Sequence, residues 1–252
     1  MYKLISRKKI YREYLEQYLQ ETVIPNGIVK TKYLTVDFCR EVENKRKAGF
    51  IRDQKELFES EIIRLVQGNK LGILILESDE FVYVLIPPFP INSLTEFSES
   101  ELSQLFELVY KPRLIMMVLI RLGRFVVAVI NDAEVIYSKS GTRFVKNKHK
   151  AGGSSQRRFE RNRERMVREF YDQVCTHTRN LFEENKRNVE WLLFGGEKDT
   201  IKNFQERCKF LATENISVLD RIIEINRPGV KAMGSAIKEL HCCVVYELKK
   251  TF

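Results

Sequence analysis

Apolar positions recur along the chain with two different periods, and the switches between them predict its elements. Over about the first twenty residues, Leu4, Ile5, Tyr11, Leu15 and Leu19 fall roughly on one helical face. Residues 26–38, NGIVKTKYLTVDF, open on an Asn-Gly turn and then alternate as a strand does. Residues 53–68 read as an amphipathic helix closed by Gly68. The β-rich runs 71–77 and 81–87, separated by Ser-Asp-Glu, predict a hairpin. Ser98 and Glu101 stand in capping-box spacing and predict a helix to about residue 109.

Pro112 interrupts that helix, and three strands follow in series at 114–121, 124–130 and 134–138. From about Gln156 to Asn185, the apolar positions Phe159, Met166, Val167, Phe170, Val174 and Leu181 recur at three, four or seven, the signature of one long helix. A buried strand at 189–196 ends in Gly195-Gly196, a helix at 199–211 takes Asp199 as its N-cap, and 218–225 reads as another strand. Residues 227–250 read as a terminal helix. This order predicts an α/β protein: a mixed sheet flanked by helices over 112–252, preceded by a smaller α/β unit over 1–111.

Composition narrows the class. The 252 residues are 44% hydrophobic, enough for a packed core. The longest apolar stretch, 113–130, is broken by Arg121, Gly123 and Arg124, so it reads as two strands rather than a membrane span. The first twenty or so residues lack the continuous apolar core of a secretory leader. Five scattered cysteines (39, 175, 208, 242 and 243) with no CxxC pair argue against a disulfide framework and against a cysteine-rich zinc site, and fit a reducing cytoplasm. His177 and His241 fall on helical patterns as structural residues, and no metal or cofactor is expected.

Charge changes the picture more. The net charge is +9, and residues 141–170 carry ten Lys or Arg against three Glu. The excess is therefore local, as a phosphate-facing surface requires. At its centre lies HKAGGSSQRRFERNRER, 149–165, a Gly-Gly-Ser-Ser-Gln loop between a basic run and an arginine-rich helix. Taken alone, such a loop is commonly a solvated connection and such a helix a solvated face. His149 reads as a phosphate contact before it reads as a base. Gly195-Gly196 lacks the Gly-x-x-x-x-Gly-Lys pattern and reads as a turn at a strand end.

In order, the strand AEVIYSKSGT, the basic loop, the helix with Phe159, Arg161 and Arg163, and the strand WLLFGG resemble the catalytic middle domain of eukaryotic and archaeal class 1 peptide release factors. Within that superfamily the chain is more similar to the Vms-like release factor family of ribosome quality control, over about residues 112–250. The resemblance implies a peptidyl-tRNA hydrolase that frees nascent chains from stalled ribosomal large subunits. The position of the glutamine in a Gly-Gly-Gln loop is held here by Ser154, and the available glutamine, Gln156, lies two residues later. The implied catalytic set is Gln156 with Gly152, Gly153, Ser154 and Ser155. Gln156 would orient water or stabilise the oxyanion while the small residues let the loop approach the ester. Arg143, Lys146, Lys148, His149, Lys150, Arg157, Arg158 and Arg161 would meet tRNA and ribosomal RNA phosphates. A binding-only rescue adaptor and a nuclease at the tRNA 3′ end are the alternatives that the same surface leaves open.

Overall fold

The computed structural model describes residues 2–28, 30–50, 54–92, 102–145, 156–186, 188–214 and 216–251. The chain divides into two units, one comprising Met1–Lys111 with Lys238–Phe252 and the other Pro112–Ile237. Each unit is built on its own five-stranded sheet with helices against it, so the α/β class with mixed pairing and flanking helices holds.

In the first unit the strands are β1 (Tyr2–Ile10), β2 (Lys30–Leu34), β3 (Ile73–Glu77), β4 (Phe81–Ile86) and β10 (Cys243–Lys250), in the order β1-β10-β4-β3-β2. All neighbours run antiparallel. Helices α1 (Arg12–Tyr18) and α4 (Ser103–Tyr110) supply Leu15, Leu105 and Val109 to one side of the sheet, against Leu74, Tyr83 and Val245. Helices α2 (Val36–Lys47) and α3 (Gln54–Leu65) supply Val42, Ile62 and Ile63 to the other, against Ile73, Val84 and Leu248. The alternation of the strands thus feeds two apolar layers.

Three local expectations are corrected here. Residues 2–10 form a strand, paired antiparallel along β10, and the helix begins only at Arg12. The strand expected over 26–38 ends at Leu34, since the Thr35 side chain accepts from the Phe38 amide at 3.2 Å and caps α2. The expected terminal helix is only α8 (Met233–Leu240). The β-branched Val244 and Val245 then enter β10, between β1 and β4 in the first sheet. Ser98 and Glu101 lie outside the described residues.

The second unit's sheet is β7-β6-β5-β8-β9, from β5 (Leu114–Arg121), β6 (Arg124–Asn131), β7 (Glu134–Thr142), β8 (Trp191–Gly196) and β9 (Val218–Ile223). β5, β6 and β7 pair antiparallel through two-residue turns, whereas β8 runs parallel to β5 and β9. The parallel pairs need crossovers, which α5 (Gln156–Asn185), then α6 (Lys198–Arg207) and the short α7 (Phe210–Thr213), supply. Met116, Val118, Ile120, Phe125, Val127 and Val129 face those helices. The alternate residues Ile115, Met117, Leu119, Val126, Ala128 and Ile130 are equally buried, which is why 113–130 reads as an apolar run instead of an alternation.

Gly195 and Gly196 have a steric cause. A Cβ on Gly195 would stand 2.6 Å from a Leu119 methyl, and one on Gly196 would stand 1.9 Å from the Ile120 carbonyl oxygen. Gly196 also adopts φ +122°, which L side chains rarely adopt. The pair lets β8 leave the sheet closely pressed between β5 and β9 and enter α6.

The cysteine expectation is corrected as well: Cys175 on α5 and Cys208 at the end of α6 form a disulfide. Cys39, Cys242 and Cys243 lie outside that bond and are buried. The bond joins residues 33 apart in sequence, brought together by the crossover, so spacing alone gave no sign of it. His241 is buried with its ring edge-on to Phe89, a core role as expected.

Two outcomes follow from this packing. Gly196→Ala is expected to destabilise by about 3 kcal/mol or more, read as a shift in the denaturant midpoint, whereas a wild-type midpoint would refute the close approach. The Cys175–Cys208 loop is expected to contribute about 3–4 kcal/mol in the oxidised protein. Reductant or Cys208→Ser should remove it, and five titratable thiols in the denatured, unreduced protein, instead of three, would show the bond absent.

Candidate functional site

Helix α5 has two halves with different jobs. From Phe170 onward it buries Phe170, Tyr171, Val174, Thr178, Leu181 and Phe182. Phe125 of β6 meets Phe170 edge-on at 6.2 Å and stacks with His177 at 5.5 Å. Burial lowers the His177 pKa, with Lys139 adding to the effect, so protonation of the ring is disfavoured where it lies against Phe125. The buried Thr178 hydroxyl donates to the Val174 carbonyl at 2.8 Å, so no polar atom is stranded there.

Residues 156–169 are different: none is fully buried, and they carry six Arg against three Glu. At 1.5 Å per residue this half extends about 20 Å along the helix axis. Arg157, Arg158 and Arg161 are exposed. Arg165 donates to Asn162 at 3.1 Å and lies 4.0 Å from Glu169. The packed half therefore holds a cationic half away from the core.

Gln156 is the first residue of α5, and its Nε2 donates to Glu160 Oε1 at 2.9 Å. A carboxylate only accepts, so the amide nitrogen must be the atom facing Glu160, and Oε1 is directed elsewhere. The first backbone N–H groups of a helix lack intrahelical partners and carry the positive end of its dipole. A hydrogen-bond acceptor and a set of donors thus lie together at this end.

The strand-side root of the loop is fastened to the same helix. The Arg143 guanidinium pairs with Glu169, and its backbone amide donates to the Gly123 carbonyl at 2.9 Å. Val145 packs against the core cluster. Phe144, between them, is 75% exposed, which forgoes about 2 kcal/mol of burial. Phe159, on the first turn of α5, is half exposed.

Of the sequence-predicted residues, the structure brings Gln156, Arg157, Arg158 and Arg161 together on the first turns of α5. It sets Arg143 beside Glu169, some three and a half turns further along. Lys146, Lys148, His149, Lys150, Gly152, Gly153, Ser154 and Ser155 lie outside the described residues. Glu169 and Phe144 were missed: the first needed the crossover that packs α5 on β6 and brings Glu169 to Arg143, the second an exposure that no pattern reports. Glu160 was legible as an i,i+4 neighbour of Gln156. The bidentate bond from Arg207 to Asp172, at 2.7 and 2.9 Å, holds the Asp172 carboxyl below its ordinary pKa and ties α6 to α5 beside the disulfide.

Among the described residues, no group of three or more His, Cys, Asp or Glu could hold a metal ion. No helix among them is long and apolar enough to cross a membrane. A cavity of about 250 Å³ bounded by Lys9, Tyr11, Tyr14 and Tyr18 lies in the first unit.

Comparison with known proteins adds the family. The peptide chain release factor subunit 1 of Pyrobaculum aerophilum is 31% identical over 133 residues, covering 49% of this chain and 32% of the relative. That of Methanosphaera stadtmanae is 32% identical over 127 residues, covering 48% and 30%. The chain thus spans about a third of the length of the curated relatives it matches. Among solved structures, the archaeal translation termination factor aRF1 aligns with TM-score 0.38 and 14% identity, covering 92% of this chain and 73% of that one. The Vms1 mitochondrial localization core aligns with TM-score 0.38 and 12% identity, covering 87% and 97%. The model of the Actinobacteria/chloroflexi VLRF1 release factor family matches residues 113–245, a span holding the sheet, the cationic helix and the Gly195-Gly196 strand end. With more than half of its length inside that match, this chain belongs to the Actinobacteria/chloroflexi VLRF1 release factor family.

Proposed function

We propose that this protein hydrolyses peptidyl-tRNA on ribosomal large subunits and so frees nascent chains from stalled complexes. The observation that carries the reading is the placement of Gln156: it begins α5, at the tip of a cationic half-helix, with its amide nitrogen engaged by Glu160. Family membership supports the reaction class.

The ester linking a peptide to the tRNA 3′ ribose is already reactive. What it lacks in a folded complex is a single water held in line with its carbonyl carbon. Gln156 Oε1, turned away from Glu160, accepts a hydrogen bond from that water and aligns it. The unpaired N–H groups at the start of α5 donate to the oxygen that becomes negative as the water adds. The water oxygen bonds to the carbonyl carbon, the bond to the ribose 3′ oxygen breaks, and that oxygen leaves with a proton originating from the water. Gly152 and Gly153 let the backbone approach the ester, and Ser154 and Ser155 are small enough to leave room for the water. Arg157, Arg158 and Arg161, with Lys146, Lys148, His149 and Lys150, meet RNA phosphates around it. Arg143 serves the same surface from the loop root, with part of its charge engaged by Glu169.

Stalled ribosomal complexes carrying labelled peptidyl-tRNA test this directly. The wild type is expected to yield free peptide and intact tRNA, and Gln156→Ala to lower single-turnover release about 100-fold or more. Undiminished release by the variant would remove Gln156 from the chemistry. Peptide still bearing a nucleotide would mean tRNA cleavage, and binding without product would mean an adaptor. Charge is tested separately: replacing Lys146, Lys148 and Lys150 by Ala should flatten the log–log salt dependence of large-subunit binding by about 2 to 3. An unchanged slope would put the RNA-binding surface elsewhere.

A further inference from the structure

Phe144 is more exposed than any other large apolar side chain among the described residues, at 75%. Its neighbours hold it there. Arg143 is fastened twice, by its guanidinium on Glu169 and by its amide on Gly123. Val145 is packed on the core. Turning Phe144 inward would pull at least one of them free, so the ring is presented to solvent by its surroundings and not by a loose chain end.

The occupant is narrowed by charge. The ring follows Arg143 and precedes Lys146, Lys148 and Lys150 in sequence, within the thirty-residue segment that carries a net +7. An apolar groove on a partner protein would desolvate those cations without pairing them. A membrane surface is engaged by a broad apolar face beside the cations, not by one ring. A single-stranded nucleic acid supplies both partners at once, a base face for the ring and phosphates for the cations. RNA recognition of this kind favours unpaired nucleotides, whose bases are open to stacking.

We infer that Phe144 is a stacking platform for one unpaired RNA base at the root of the cationic loop. The inference rests on the RNA-facing reading above and adds to it a contact that carries no charge.

Fluorescence anisotropy with a labelled RNA hairpin, bearing or lacking an unpaired 3′ tail, tests it in the whole 252-residue chain. Phe144→Ala should weaken binding to the tailed hairpin about 10-fold, with an unchanged salt slope. Phe144→Trp should retain wild-type affinity, and Phe144→Leu should behave as Ala. On the blunt hairpin all four proteins should bind alike. Because the side chain is exposed, each variant should unfold at the wild-type temperature. Wild-type affinity in Phe144→Ala or Phe144→Leu, or an equal loss on both hairpins, would overturn the stacking role. Failure of the wild type to bind either RNA would overturn it together with the RNA-facing reading. Vesicles of anionic phosphatidylglycerol bound in a Phe144-dependent way, with no tail effect, would assign the ring to a membrane instead.

Discussion

The seam between the C-terminal half of α5 and the inward faces of β5 and β6 is the contact on which the candidate site depends. Phe170, Tyr171, Val174, Leu181 and Phe182 bury their side chains there, against Met116, Val118, Phe125 and Val127. At about 1.5–3 kcal/mol for each such side chain, the seam amounts to on the order of 10 kcal/mol before entropy is counted. The surface pairs on the other half of the helix are of a different scale, a few tenths of a kcal/mol each. The seam therefore decides where α5 lies, and the cationic half follows as a continuation of a helix fixed elsewhere.

That arrangement allows the first half to carry repelling charges. Six arginines in fourteen residues would be a poor basis for an isolated helix, since a nascent helix has to offset its nucleation cost locally. Here nucleation is supplied by packing, and Arg157, Arg158 and Arg161 stay exposed. Glu160, Glu164 and Glu169 offset part of the repulsion. Two of them also acquire positional work: Glu160 engages the amide of Gln156, and Glu169 fastens the root of the loop through Arg143. The Arg207–Asp172 pair and the Cys175–Cys208 bond then resist sliding of α5 against α6.

The long helix, the hairpins and the strand ending in two glycines were legible because each is set by local period or by residues with a single steric meaning. The α5 boundaries follow from a three-and-four spacing sustained over many turns, which chance rarely produces. The two ends of the chain were misread for the opposite reason. Residues 2–10 and 243–250 are strands because each finds the other across almost the whole sequence, and a window along the chain holds no record of a partner that distant. Leu4 and Ile5 even imitate a helical face, since a bulge between Leu4 and Ser6 disturbs the alternation that would have marked a strand. The disulfide was missed likewise: Cys175 and Cys208 become neighbours only once α6 folds back over β8.

By itself, then, the sequence determined the long helix, the local excess of positive charge, the strand ending at Gly195-Gly196 and the glutamine among small residues. All of these are properties of adjacent or periodically spaced side chains. Tertiary structure alone decided that α5 is buried only in its second half and that Arg143 reaches Glu169. It also decided that Phe144 is held in solvent and that the chain's last strand returns to the first sheet. Each of these depends on which surfaces meet after the crossovers close, and burial is a property of the meeting surfaces, not of the residues one at a time.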